Sequence, residues 1–189
     1  MLDPVNPWGR ALRPSLCSEI VAKLASEPWQ LAQYRRLRSE IFAREQGLFE
    51  ETDFDEHDAY AHPIVAESQI AGMADRVVGV VRIFEQAGGV WYGGRLGVHQ
   101  DYRRSGSVGS ALITCAVSTA HAWGCGSFFA TVQEQNVRYF ERHHFRPLEA
   151  LEIRGRAHCL MQADLERYPP AIVPEKPHAA HLRTALEVA

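Results

Sequence analysis

The chain runs to 189 residues, enough for one domain with a proper core and too short for two ordinary ones. Hydrophobic residues make up 46% and charged residues 23%, and a net charge of -3 gives no electrostatic case for a nucleic-acid surface or an acidic membrane. No run reaches the ~18 apolar residues that span a bilayer, Met1–Arg13 lacks an apolar signal core, and Cys17, Cys115, Cys125 and Cys159 show no CxxC spacing, so a reducing cytoplasm is the expected location.

In chain order, residues 1–16 carry Pro4, Pro7 and Pro14 and are expected as an extended arm, followed by a first strand over Ser18–Leu24. Ser26 as N-cap, Pro28 in the first turn, and Leu31, Tyr34, Leu37 and Ile41 at spacings of three and four predict a helix over 28–46 that stops at Gly47. Glu50–His62 is acidic and irregular and is expected as a solvated loop. A short strand at Ile64–Ala66 precedes a β-branched one at Val77–Phe84 and an aromatic, glycine-interrupted one at Val90–Val98, with Gly88-Gly89 as the turn between the last two. Val108, Leu112, Cys115, Thr119 and Ala122 form the stripe of a second helix closed by Gly124. Ser127–Val132 reads as a strand, Asn136–His143 as a short helix, and Leu148–Ile153 with Ala157–Ala163 as a final strand pair around Gly155. A proline-punctuated tail begins at Pro169 and ends in a short helix near His181–Val188. The economical organisation is an arm over 1–16, one domain over 17–166 and a tail over 167–189, with a mixed sheet flanked by helices at the centre.

The most informative stretch is Val90–Ala116. A strand rises to Val98, a turn carries Asp101, Tyr102, Arg103 and Arg104, and the small residues Ser105, Gly106, Ser107, Gly109 and Ser110 open a long helix. Small residues leave backbone N–H groups accessible where a helix has donors without acceptors and a positive dipole end, which suits a phosphate; the two arginines can add charge-assisted bonds. Small residues also open ordinary helices, so the pattern alone leaves both readings available. It has neither the Lys-Thr ending of a P-loop nor the GxGxxG of a dinucleotide fold.

The stretch resembles motif A of the GCN5-related N-acetyltransferases, in which a strand of the form L-x-V enters an R/Q-x-x-G-x-G/A turn that grips the coenzyme A pyrophosphate. Leu96-Gly97-Val98 matches the strand, and Arg104-Ser105-Gly106-Ser107-Val108-Gly109 the turn, with Ser107 where the middle glycine is usual. A second signature of the family, an asparagine followed by F-Y-x-x-x-G-F, is similar to Asn136 through Phe145; by register Phe140 takes the tyrosine slot and His144 the glycine slot. The family's tyrosine often protonates the leaving thiolate. Phe140 has no proton to give, and Tyr139 is expected to point about 100° away on a helix. Upstream, Leu37 through Phe49 resembles nitrogen-starvation acetyltransferases encoded beside nitrilase genes and, more distantly, acyl-homoserine-lactone synthases.

The resemblance implies an α/β fold with a mixed, mostly antiparallel sheet of six to seven strands, splayed at the acetyl-coenzyme A site and flanked by about four helices. It implies acetyl transfer from acetyl-coenzyme A to the amine of a small molecule by direct attack, in a protein of nitrogen metabolism that acts without metal and is able to pair as a homodimer. Leu96, Gly97, Val98, Arg103, Arg104, Ser105, Gly106, Ser107, Val108, Gly109, Ser110, Asn136 and Phe140 are the expected donor-binding residues. An alkylamine of pKa ~10.4 is only about 0.04% neutral at pH 7, a cost of roughly 4.6 kcal/mol, so a base is expected. Glu45 and Asp55 on the acceptor side and His99 as a relay are the candidates, with Asp58 and His62 behind them. Glu45 reads equally well as a solvated helix-terminal charge, and Arg38 as the partner of an acceptor carboxylate or of a nearby acid. Asp53, Asp55, His57 and His62 have no recognisable metal-ligand spacing. A lactone-forming acyltransferase and a non-catalytic acetyl-coenzyme A-binding module are the rival readings.

Overall fold

The computed structural model describes residues 19–45 and 53–176. Within them lie strands β1 (Glu19–Leu24), β2 (His62–Ile70), β3 (Met73–Ala87), β4 (Val90–Val98), β5 (Ser127–Gln133), β6 (Phe145–Ile153) and β7 (Arg156–Ala163), and helices α1 (Pro28–Arg38), α2 (Ser107–Ala122) and α3 (Val137–Glu141). The seven strands form one sheet in the order β1-β2-β3-β4-β5-β7-β6. Every pairing is antiparallel except β4 with β5, which is parallel. The expected α/β fold with a mixed, mostly antiparallel sheet is therefore observed. The arm over 1–16, the end of the first helix at 46–47 and the helix at 181–188 lie outside the described residues.

Alternation along β2 explains the central layer. Ile64 and Ala66 belong to the core beneath α2, while Val65, between them, packs with Tyr34, Leu37, Ile41 and Phe42 on the opposite face. Both faces of β2 and β3 are thus covered, which is why their apolar runs are nearly continuous instead of alternating. On the α2 side Leu112, Val117 and Ala120 are fully buried against Ile83, Trp91 and Met161. Truncating such a leucine costs about 2–5 kcal/mol.

Several boundaries differ from those read in the sequence. The strand expected at Ile64–Ala66 extends over nine residues, and Val77–Phe84 over fifteen, because a hairpin turn at Ala71-Gly72 joins them (φ 52° and 77°). Glu27, not Ser26, caps α1; the Gln30 side-chain oxygen accepts the N–H groups of Ser26 and Glu27 at 2.8 and 2.9 Å. The helix does not continue in α form: Ser39–Glu45 widens into a π-helical segment. That segment lies against β4, where a Cβ at Gly97 would stand 2.9 Å from Ile41 Cδ1 and 3.3 Å from Phe42. Glycine at 97 is what permits the contact.

The acidic stretch is the largest departure. Its described part, from Asp53 onward, is only partly solvated: Asp55 and Glu56 are exposed, but Asp53 is buried and Asp58 largely so, and a 3-10 turn spans Glu56–Ala59. Beyond α3, His144 takes a left-handed backbone conformation (φ 58°), which is the steric reason that glycine suits this slot. Residues 169–176 run past the C-terminal end of α2, with Ala171 N–H on the Ser118 carbonyl oxygen at 3.0 Å and Trp123 Nε1–H on that of Pro174 at 2.9 Å.

Two stability measurements follow from these contacts. His144 is exposed, so His144→Gly relieves left-handed strain without loss of packing and should stabilise the chain by about 1 kcal/mol in urea unfolding; no gain would show that the strain is absent. His62, buried against Trp123 and Trp91, has its imidazole pushed down to about 4 by burial and by the Lys176 charge, with Glu85 opposing. The folded chain then holds fewer protons than the unfolded one between about pH 4 and 6.5, so stability is full above that window and falls by about 3 kcal/mol as pH drops through it. His62→Gln should flatten that slope, and an unchanged slope would contradict the assignment.

Candidate functional site

β4 and β5 pair through only four positions, Val90↔Ser127 to Gly93↔Ala130. Beyond Gly93, β4 bulges: Arg82 opposes Gly94 and Val80 opposes Gly97, and Arg95 takes φ 55° in between. β5 meanwhile stays with β7 as far as Gln133↔His158. The two strands part, and a cleft of about 750 Å³ opens between them. Leu96, Gly97 and Val98 line one edge, Thr131, Val132 and Gln133 the other, with Gly106, Gly109 and Ile113 of the α2 side closing one end and Phe54, Asp55, Arg154 and His158 also contributing.

At the α2 end, Gly106 is left-handed (φ 68°) and Ser110 N–H makes the bond to its carbonyl oxygen at 3.1 Å. The N–H groups of Val108 and Gly109 precede that bond and have no acceptor within the helix. Gly109 lines the cleft; a Cβ there would stand 2.4 Å from the Tyr139 hydroxyl oxygen. Arg103 also lines it, its Nε–H on the Val98 carbonyl oxygen at 2.7 Å and its Nη2 on Glu45 at 2.5 Å. Of the other residues expected here, Arg104 and Ser107 are exposed, Val108 is core, and Ser110 Oγ is bonded to His143 Nε2 at 2.6 Å. Ser105 belongs to the turn over Gln100–Ser105. Asn136 and Phe140 both reach the cleft, Phe140 largely buried against Phe145.

Tyr139 corrects an expectation. It does turn off the Phe140 face of α3, yet it too lines the cleft, because the cleft wraps around the helix; its hydroxyl donates to the Gly106 carbonyl oxygen at 3.2 Å.

On the opposite side, three arginines and three aspartates interlock. Arg38, fully buried, donates to Asp53 Oδ2 (2.7 Å) and Asp58 Oδ1 (2.6 Å), with the Phe54 ring 4.3 Å from its guanidinium carbon. Arg82 grips Asp55 through two bonds of 2.7 and 2.6 Å and also reaches Asp58 at 2.6 Å. Arg95 donates to the Asp53 carbonyl oxygen at 3.0 and 2.9 Å and to Asp55 Oδ2 at 3.0 Å. Arg38 is therefore the partner of nearby acids. Burial alone would raise the Asp55 carboxyl, but the Arg82 bonds and the charges of Arg82 and Arg95 prevail and hold it at about 2. Asp58 is likewise held low, against its burial, by Arg38 and Arg82.

The remaining candidates are dispersed. Glu45 lies outside the cleft lining and pairs with Arg103, which lines it. His99 follows β4, its Nδ1 accepting the Asp101 N–H at 3.4 Å, and lies outside the cleft lining. His57 Nδ1 is bonded to the Tyr60 hydroxyl at 2.5 Å, and among the described residues no three of His, Cys, Asp or Glu converge as metal ligands. Sequence reasoning missed Arg82, Arg95 and His158; for the arginines the signal was present as cations within β-strand patterns, where a charge needs a partner.

Comparison with solved structures places this architecture. A protein from Lactobacillus plantarum described as a candidate N-acetyltransferase superposes with a TM-score of 0.68 at 23% identity, covering 77% of this chain and 98% of its own. ElaA of Escherichia coli gives 0.63 at 21%, covering 78% and 99%. An acyl-CoA N-acyltransferase from Pseudomonas aeruginosa gives 0.59 at 17%, covering 78% and 99%. At such identities the likeness is one of fold. No curated protein sequence matches the chain. The family model "Acetyltransferase (GNAT) family" matches residues 21–145, which with the divided β4–β5 pair behind it makes this chain a member of the GNAT acetyltransferase family.

Proposed function

We propose that the chain is an N-acetyltransferase that moves an acetyl group from acetyl-coenzyme A to the amine of a small molecule by direct attack within a ternary complex. The observation that supports this most is the cleft where β4 and β5 part, continuous with the open first turn of α2. The residues present fit the donor. Val108 and Gly109 amides and the Arg103 and Arg104 guanidiniums would hold the pyrophosphate, and the glycine at 109 leaves room for the Tyr139 hydroxyl beside that turn. Strand edges at Leu96–Val98 and Thr131–Gln133 would pair with the amide-bearing pantetheine arm. When bound, acetyl-coenzyme A supplies the activated thioester.

The protein's own part is positioning. Backbone N–H groups around the Arg95 bulge polarise the thioester carbonyl, and the Asp–Arg wall fixes Phe54 and Asp55 at the acceptor end. Asp55, expected as a base, is held too acidic to take a proton efficiently near neutral pH. Glu45 serves by orienting Arg103, and His99 by shaping the turn that leads into α2. The acceptor wall carries matched charge, so it selects a small amine by shape more than by net charge. Kinship with the nitrogen-starvation enzymes rests on Leu37–Phe49, of which 46–49 lie outside the described residues.

Calorimetric titration with acetyl-coenzyme A tests the donor site. Binding should weaken by about tenfold in Arg104→Ala, as for loss of one charge-assisted bond worth about 1.5 kcal/mol, and should vanish in Gly109→Val. Dephosphorylated pantetheine fragments should bind far more weakly than the intact donor. Full affinity in both variants, with melting curves showing them folded, would contradict the phosphate site. Product mass spectra with acetyl and longer acyl donors then separate acetyl transfer from acyl-lactone chemistry.

A further inference from the structure

A base for the acceptor amine is still required, and the sequence candidates are engaged elsewhere: Glu45 by Arg103, Asp55 by Arg82 and Arg95, Asp58 by Arg38 and Arg82, His62 by the tryptophans, and His99 by the Asp101 N–H outside the cleft. His158 differs. It lies on β7, half-buried, opposite Gln133 of β5 and Leu151 of β6, and it lines the cleft. Its Nδ1 is 2.8 Å from the Arg156 carbonyl oxygen. A carbonyl only accepts, so Nδ1 carries the hydrogen, and the neutral ring is left with its lone pair on Nε2.

We propose that His158 is the general base of the acetyl transfer, its Nε2 taking the proton of the acceptor amine in the cleft between β4 and β5. The assignment rests on the acetyltransferase reading above. In the step, the acceptor ammonium gives one proton to Nε2, and the freed nitrogen lone pair attacks the thioester carbon. The C–N bond forms as the C–S bond breaks, and the sulfur departs with the electron pair as coenzyme A thiolate. The second amine proton leaves as the amide forms; of the two protons, one goes to the thiolate and the other, through His158, to solvent.

Strand alternation and register identify the charges around the ring. Arg156 of β7 and Glu149 of β6 share its face of the hairpin, β5 offers the neutral Thr131 and Gln133, and Arg154, Asp55, Arg95 and Arg103 share the cleft. Among the described residues no carboxylate is hydrogen-bonded to Nδ1; a backbone carbonyl orients the ring instead.

The test compares wild type with His158→Asn, which keeps a donor in the Nδ1 position and removes the lone pair. Acetyl-coenzyme A affinity is measured by calorimetry, and thiol release with benzylamine, with hydroxylamine and with water alone, so that every preparation returns a rate. Acetyl-coenzyme A affinity should be unchanged in the variant. Release at pH 7 with benzylamine, or with water where benzylamine is not accepted, should fall by about 100-fold or more. The loss should shrink as pH rises toward the amine's own titration, and should be small with hydroxylamine, which is already neutral. Nitrogen-15 NMR of the wild-type ring should report Nδ1–H. Equal rates and an unchanged pH profile in the variant, or an Nε2–H ring in the NMR spectrum, would overturn the assignment while leaving the donor site standing. Failure of the wild type to bind acetyl-coenzyme A would instead overturn the reading beneath it.

Discussion

Everything in this molecule that bears on function depends on the point where β4 stops pairing with β5. A sheet edge in the interior of a domain is costly, because each backbone N–H and C=O left without a partner loses the hydrogen bonds it had in water. Here the pairing ends after Gly93↔Ala130: β4 bulges at Arg95, while β5 keeps β7 on its other edge as far as Gln133. The gap presents two strand edges, Leu96–Val98 and Thr131–Gln133, to whatever fills it. A flexible chain carrying amide groups is the ligand such edges suit, and α2, entered straight from β4 through Arg103 and Gly106, puts an anion-binding turn at its end.

The second constraint is the cluster of Arg38, Arg82 and Arg95 with Asp53, Asp55 and Asp58, buried at Arg38, Arg82 and Asp53 and open to solvent at Asp55. Burying one of these charges alone would cost several kcal/mol; interlocked and hydrogen-bonded, they offset one another's desolvation. The cluster fixes the described part of the acidic stretch to β3 and β4 and places Phe54, Asp55 and Arg95 along the cleft. Its arginines also hold the Asp55 and Asp58 carboxyls low, so neither is suited to take up a proton near neutral pH.

Much of this was legible in the sequence, for identifiable reasons. The 3.6-residue stripe of α2, the β-branched runs and the spacing from Leu96 to Gly109 are local signals, and each marks its element correctly. The acidic stretch was misread because composition cannot reveal partners distant in the chain: Asp55 lies 27 residues from Arg82 and 40 from Arg95. The long β2–β3 hairpin was hidden for a related reason, since its outer half, Ser68 to Arg76, is polar or exposed and offers no alternation. Tyr139 shows a third limit. Its direction on α3 followed from helix geometry, but the extent of the cleft around that helix required the tertiary structure. His158, ordinary in sequence, becomes notable only once β7 stands beside β5.

The most direct test of the account is amide hydrogen exchange with and without acetyl-coenzyme A. Exchange should slow at residues 94–98, 107–109 and 131–133, where the donor would meet the parted strands and the first turn of α2, and remain unchanged along β1 and the outer half of the β2–β3 hairpin. Saturating donor with no protection at those edges, or protection confined to other parts of the sheet, would contradict the claim that the break between β4 and β5 is the donor site.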